Sequence, residues 1–331
     1  MATIANQEME HTSSICTAPT SGQIITDRLF RVLTFVCAWM VVLIVLSMVF
    51  SITWKAVPAI QDYGTSFLTT TTWDVGEEGV RPAKFGALPG IWGTMYSSLL
   101  ALAIGGFFGV SIAIFLTQDF LPPKLEIVFK NIVELLAAIP SVVYGLWGYY
   151  AIIPLLKPIA IWLNSHMGWF PFFSSRLNGP GMLPSALVLA IMILPTVTAI
   201  SRDALSAVPH RLKEAAFGLG ATRWEAILGV ILPTASKGVF GALVLAFGRA
   251  LGETMALAML LGGSSTISLS LFAPSNTLAA MLALKFNERQ KEEEPALWLV
   301  ALILMAITLI VNSCGLAILN QTSKETKGKR K

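Results

Sequence analysis

The sequence predicts an all-α, polytopic membrane protein with six transmembrane helices, and three observations carry that prediction. Of 331 residues, 55% are hydrophobic and only 13% are charged. The mean hydropathy is +0.70. Apolar runs long enough to cross about 30 Å of hydrocarbon as helices recur six times. A soluble globular chain carries nearer to about 25% charged residues. An ordinary soluble enzyme, a disordered chain and a disulfide scaffold are therefore excluded.

Taken in order, residues 1–26 are polar and small and read as a mobile cytoplasmic tail. They lack a basic n-region, so a cleavable signal peptide is not expected, and the first apolar run should stay as an anchor. Residues 27–320 form one transmembrane domain. Its spans cover about Leu29 to Trp54, Leu88 to Thr117, Ile127 to Pro154, Leu183 to Ile200, Val239 to Gly262 and Ala296 to Leu319. The third is the least regular, because Pro140 interrupts it and Gly145 and Gly148 follow. The loops at about Lys55 to Ala87, Leu155 to Met182 and Gly263 to Pro295 are long and carry aromatic and proline residues suited to a membrane interface. Residues 321–331 form a basic cytoplasmic tail.

Lys and Arg are more numerous on the side that holds both termini, which places the N- and C-termini in the cytoplasm. The net charge of +4 is explained by that bias. The cations occupy short loops between apolar runs and form no basic face for nucleic acid. Cys16, Cys37 and Cys314 have no metal or redox spacing. Cys37 and Cys314, inside apolar runs, read as buried small residues. His11, His166 and His210 are equally scattered, so no metal site is expected.

Charges inside spans are the first functional signal. Arg249 and Glu253 stand four apart in the fifth span, on one face of a helix and close enough to pair. Counting from Val239 at 1.5 Å per residue puts Arg249 roughly 15 Å in, near the midplane. An Arg at a helix centre costs about 2.5–3.5 kcal/mol, so it must face protein or water. One reading is an ion pair that only holds the bundle together. The other is a cation lining an anion pathway, with Glu253 orienting it and preventing tight trapping, and intramembrane charges favour that one. Glu134, near the end of the third span, has a plainer role as a partner of Lys130 at four-residue spacing.

The second signal is the loop at about 202–237. Pro209 can start a helix, and Gly218 and Gly220 can stop it. After them Trp224, Ile227, Leu228 and Ile231 form a new apolar stripe. Two short helices joined at glycine make a firm protrusion.

Within it, Glu214-Ala215-Ala216, then Gly220 after three residues, then Val230-Ile231-Leu232-Pro233 resembles the EAA loop of bacterial ABC importer permeases. The family pattern ends Ile-x-Leu-Pro, and Val230 is a conservative departure from it. Gly248-Arg249-Ala250-Leu251-Gly252-Glu253-Thr254-Met255-Ala256 is similar to the phosphate branch of that family. So are the segment from Glu134 to Gly148 and Pro274-Ser275-Asn276-Thr277. The resemblance covers about Asp27 to Leu319. It implies a type I ABC importer permease in the inner membrane, transporting phosphate and coupled to its ATPases through Glu214, Ala215, Ala216, Gly220, Leu232 and Pro233.

The implied partners are a homologous second permease subunit, two ATPase subunits and a periplasmic phosphate-binding protein. The chain has no G-x-x-x-x-G-K-[ST] loop. The expectation is thus a transport subunit, not an enzyme, without a cofactor of its own, with ATP used by the partners. A sulfate- or molybdate-type permease is the alternative within the fold. An ion-coupled secondary transporter is the alternative outside it, although internal repeats typical of such carriers are not visible.

Overall fold

A computed structural model describes residues 21–76 and 83–328. Among them, six helices are long and apolar enough to cross a membrane: Ser21–Tyr63, Leu88–Thr117, Ser141–Met167, Met182–Ser206, Arg223–Leu251 and Glu294–Leu319. The chain separates into two compact units, one ending at Trp54 and one beginning at Lys55. Helix α1 (Ser21–Tyr63) runs through that boundary. Residues 1–20, most of the expected N-terminal tail, lie outside the described residues. Residues 21–26, expected in the tail, are already helical. Along the first unit Phe35, Trp39, Leu43 and Leu46 are exposed, as are their neighbours on every side. A helix apolar all round belongs in lipid or against a partner.

The second unit is built on three helices: α3 (Leu88–Thr117), α7 (Met182–Ser206) and α10 (Leu232–Leu251). Small residues explain their closeness. In α3, Gly93, Ser97, Ala101, Gly105, Gly109 and Ala113 recur every fourth position, forming one buried stripe. A Cβ on Gly105 would stand 2.7 Å from the Ala190 carbonyl oxygen, and one on Gly109 would stand 2.8 Å from Val197 Cβ. The Thr198 hydroxyl on α7 donates to the Gly109 carbonyl at 3.2 Å. Without water to expel, helices in lipid associate through such close backbone packing and interhelical hydrogen bonds. In α10 the same role falls to Ala235, Ala242, Ala246 and Ala250, all buried.

Before α3 come α2 (Ser66–Thr69) and the two-residue strands β1 (Trp73–Asp74) and β2 (Lys84–Phe85), and between α3 and α7 come α4 (Pro123–Ala138), α5 (Ser141–Trp147) and α6 (Ile153–Met167). The strands pair antiparallel, Trp73 opposite Phe85. Beyond α7 lie α8 (His210–Gly218), α9 (Arg223–Ala226), α11 (Met255–Leu260), α12 (Leu278–Lys285) and α13 (Glu294–Gly328). At the end of the bundle away from α8, the hairpin is anchored by the indole of Trp73, which donates to Glu293. That buried carboxylate is paired with Lys285 at 3.6 Å.

Two span boundaries differ from the sequence expectation. The third membrane helix begins at Ser141 and runs to Met167, instead of covering Ile127 to Pro154. Pro140 cannot donate to the helix, and it drives Ile139 into an extended conformation (φ −71°, ψ 128°), so α4 stops at Ala138. The fifth runs from Arg223 to Leu251, not from Val239 to Gly262. Wide π-helical turns at Gly148–Ile152 and Ile227–Ile231 keep both helices going. Each precedes a proline, Pro154 or Pro233, whose missing N–H and ring loosen the turn before it. Other expectations change as well. Cys37 and Cys314 are exposed on the chain's surface, not buried, because each lies on a side of its helix that the rest of the chain leaves uncovered. Cys16 is outside the described residues. Glu134 faces Arg202 of α7 at 4.0 Å, and not Lys130, because the break at Pro140 turns α4 against α7.

Replacing Gly109 with Leu should cost about 1–3 kcal/mol, since the new side chain has no room beside Val197. Gly229→Leu is the control, because a Cβ there meets nothing within 4 Å. The thermal midpoint of the detergent-solubilised protein should fall clearly for the first and little for the second. Equal shifts would refute the close α3–α7 contact.

Candidate functional site

Arg249 sits in the last turn of α10, where a cation also complements the exposed carbonyls of the helix end. Periodicity puts Ala242, Ala246 and Ala250 on the side facing α7, and Val244 and Gly248 on the side facing α13. Leu245, Arg249 and Gly252 lie between those faces, and all three are exposed. The Arg249 guanidinium donates through Nη1 to the Thr196 hydroxyl of α7 at 3.1 Å. The Tyr144 hydroxyl of α5 donates to the Leu136 carbonyl at 2.8 Å.

The expected helical pairing of Arg249 with Glu253 is not formed. The helix ends at Leu251, and no ion pair joins the two residues among the described contacts. Gly252 and Glu253 form the turn to α11, and the Glu253 carboxylate lies 3.5 Å from the Ala256 amide in the first turn of that helix. Four-residue spacing makes neighbours only while the helix continues. The count from Val239 does not apply either, since this helix starts at Arg223 and carries Arg249 in its last turn.

Two of the segments that resemble the phosphate branch meet at α11, and the third, Pro274–Thr277, joins the chain just beyond the end of that helix. Gly145 of α5 packs on α11, where a Cβ would stand 3.1 Å from the Ala256 Cα. The Ser275 amide donates to the Leu261 carbonyl at 2.9 Å, just beyond α11. Gly93 of α3 lies against the Asn276 carbonyl, and the Thr94 hydroxyl of α3 accepts from the Leu278 amide at 3.0 Å. Two polar residues near Arg249 escaped the sequence reading. Thr196 carried no signal, since its partner is 53 positions away. Asn312 lies in the sixth membrane helix, its Oδ1 buried without a partner, against the backbone of Gly248. An uncharged amide in an apolar run was the only available clue.

The loop at 202–237 has the expected form. Helix α8 ends in a Schellman-type turn: Gly220 takes a left-handed φ of +85°, its amide donates to the Phe217 carbonyl, and the Ala221 amide donates to the Ala216 carbonyl. Thr222 and Glu225 then form a reciprocal capping box that starts α9. Glu214, Ala215, Gly220 and Pro233 are exposed, Leu232 is half-buried and Ala216 is buried. The apolar stripe divides: Ile227 and Ile231 go into the core, while Trp224 and Leu228 stay outside. With Phe217 and Leu219, which is 90% exposed, they make an apolar knob on a corner set by glycine. Among the described residues no group of three or more His, Cys, Asp or Glu side chains could hold a metal ion.

Comparison with known proteins agrees with this geometry. Residues 109–321 match the family described as binding-protein-dependent transport system inner membrane component. A protein named phosphate transport system permease protein PstC in Mesorhizobium japonicum is 39% identical over 293 residues, covering 87% of this chain and 88% of the relative. One of the same name in Haemophilus influenzae is 37% identical over 311 residues, covering 92% of this chain and 96% of the relative. A solved chain from inward-facing conformations of the MetNI methionine ABC transporter superposes with a TM-score of 0.51 at 18% identity, over 70% of this chain and 94% of that one. At that identity it is the fold that is shared. The resemblance first carried by the Glu214–Pro233 segment is thus borne out: this chain belongs to the family of binding-protein-dependent transport system inner membrane components, multi-pass transport subunits that work with ATPase and binding-protein partners and are not themselves enzymes.

Proposed function

We propose that this chain is one membrane subunit of an ATP-driven importer of inorganic phosphate, and that phosphate passes Arg249 on its way to the cytoplasm. One observation carries the reading: a guanidinium exposed on a membrane-spanning helix, tethered by one hydroxyl. Of its five N–H donors, one is directed to Thr196, and among the described residues no other partner is recorded for the rest. A planar fork of donors suits two oxygens of one phosphate. Its charge offsets part of the cost of removing water from the anion. Glu253, at the turn that follows, supplies a negative charge that keeps the anion from being held too tightly. The names of the relatives support phosphate as the cargo.

The rest of the pathway wall would come from a homologous second permease subunit laid against the uncovered α10 face. Two ATPase subunits would receive the knob formed by α8 and α9, with Glu214, Ala215, Ala216, Gly220, Leu232 and Pro233 shaping or supporting it. A periplasmic phosphate-binding protein would dock at the opposite end. ATP binding would draw the ATPases together, move the loops and open the pathway outward, and hydrolysis would return it to the cytoplasmic side. Residues 27–320 would make up the permease, with the 1–26 and 321–331 tails in the cytoplasm.

In membrane vesicles holding the assembled complex, Arg249→Gln should lower ATP-driven uptake of radiolabelled phosphate about tenfold or more, the scale of losing hydrogen bonds to a charged group. Arg249→Lys should retain more, and Thr196→Val should fall between it and the native protein. Near-native uptake by an assembled Arg249→Gln complex would leave Arg249 as a packing residue. Glu214→Lys and Gly220→Asp should insert normally yet lose co-purifying ATPase subunits, the second because a side chain strains the left-handed corner. Full ATPase retention with full transport would remove the docking role from this loop. Cysteine probes at Asp74 should label only from outside and probes after Lys331 only from inside; the reverse pattern would put α8 and α9 on the wrong side for an ATPase.

A further inference from the structure

The knob formed by α8 and α9 has to pass motion to the membrane helices. Packing beneath it is incomplete, with a cavity of about 70 Å³ lined by Gln118, Asp119, Lys213, Phe217, Arg223, Ile227 and Ile231. Besides the packing of Ile227 and Ile231 with Ala113 and Leu205, polar contacts cross from the short turn between α3 and α4. Lys213 of α8 pairs with the Asp119 carboxylate at 2.6 Å. Arg223 of α9 donates to the Asp119 carbonyl at 3.4 Å. One residue of the turn therefore holds both arms of the knob.

Next to it, Phe120 lies between Phe115 of α3, nearly parallel at 5.6 Å, and Trp224 of α9 at 5.5 Å. Asp119 itself adopts a left-handed φ of 53°, a conformation that Asp and Asn tolerate but that costs other side chains roughly 1–2 kcal/mol. The hydrogen bond from Lys213 holds its carboxyl below the usual range, against a modest opposing effect of burial and with help from His210 and Arg223. A carboxyl lowered in this way keeps its pairing energy above its ordinary range and loses it only as pH falls through the lowered value. The pair is therefore ionised at neutral pH.

We propose that Asp119 is a positioning residue that latches the ATPase-facing knob to α3, so that movement of the knob moves α3. Helix α3 is the right element to receive it. Its stripe of small residues packs along α7, and at its other end Thr94 and Gly93 hold the loop that follows α11. A pull on Asp119 thus reaches, through one helix, the contact of Gly109 with Val197, next to the Thr196 that holds Arg249. The proposal rests on the reading of α8 and α9 as the ATPase-facing element.

The test uses the whole complex reconstituted in proteoliposomes and reads ATP hydrolysis and phosphate transport separately. Asp119→Asn keeps side-chain size and tolerance of the left-handed backbone while removing the charge. Lys213→Met keeps length and removes the partner. Each should retain its ATPase subunits and hydrolyse ATP, with phosphate moved per ATP reduced about three- to fivefold, the scale of one partly exposed ion pair. The double variant should be no worse than either single one, because both act through the same contact. Native stoichiometry in the single variants, or additive losses in the double, would overturn the latch. Loss of ATPase subunits from both single variants would overturn it too, by making Asp119 part of the docking surface. If Glu214→Lys and Gly220→Asp keep their ATPases, the ATPase-facing reading fails first, and that outcome is distinct from a failure of the latch.

Discussion

A guanidinium facing hydrocarbon is costly, about 2.5–3.5 kcal/mol at a helix centre and less near an end, where a long side chain reaches the interface, and Arg249 is exposed in the last turn of α10. The face that carries it is therefore best satisfied by water or another protein surface. That constraint explains why Leu245, Arg249 and Gly252 lie on an uncovered strip between the α7 and α13 contacts. It also gives Thr196 its purpose: a hydroxyl tether orients a long side chain that has no carboxylate partner among the described residues. Ending α10 at Leu251 completes the arrangement. The turn at Gly252 and Glu253 leads α11 against α5, so that the segments around Gly145 and Ala256 meet.

Helix α3 is the mechanical counterpart of that site. A small residue at every fourth position lets it lie backbone to backbone along α7, where bulkier side chains would hold the two apart. Rigid contact of this kind carries displacement from one end of the bundle to the other. The polar contacts at the two ends of α3 are different in kind. Ion pairing and an aromatic stack meet the knob, whereas the Thr94 side-chain hydroxyl, accepting from the Leu278 amide, fixes the loop beyond α11.

Much of this was legible in the sequence because the membrane and the backbone impose simple rules. Uniformly apolar runs give spans, and the second span is placed to the residue. Gly220 and the Thr222-x-x-Glu225 box give a helix stop and start that need no tertiary context. Errors arose where proline or glycine acts through geometry. Pro140 interrupts the third apolar run, yet hydropathy continues across it, so composition alone carries the span through the break. In the fifth span, apolar character likewise hides the end of α10, and the Arg249–Glu253 pair was inferred from a helix that stops between them. Thr196, Asn312 and Asp119 belong to contacts between residues far apart in the chain, and local spacing holds no record of those.

The central claim is that the strip bearing Arg249 lines an aqueous anion path in the assembled transporter. Leu245→Cys, in a background with Cys16, Cys37 and Cys314 replaced by Ser, tests it without touching the guanidinium. In the reconstituted complex, a membrane-impermeant, negatively charged thiosulfonate should modify this cysteine, and phosphate in the transporting state should slow the reaction. Modification by lipid-soluble maleimides alone, with no effect of phosphate, would show that the strip faces lipid and would contradict the account.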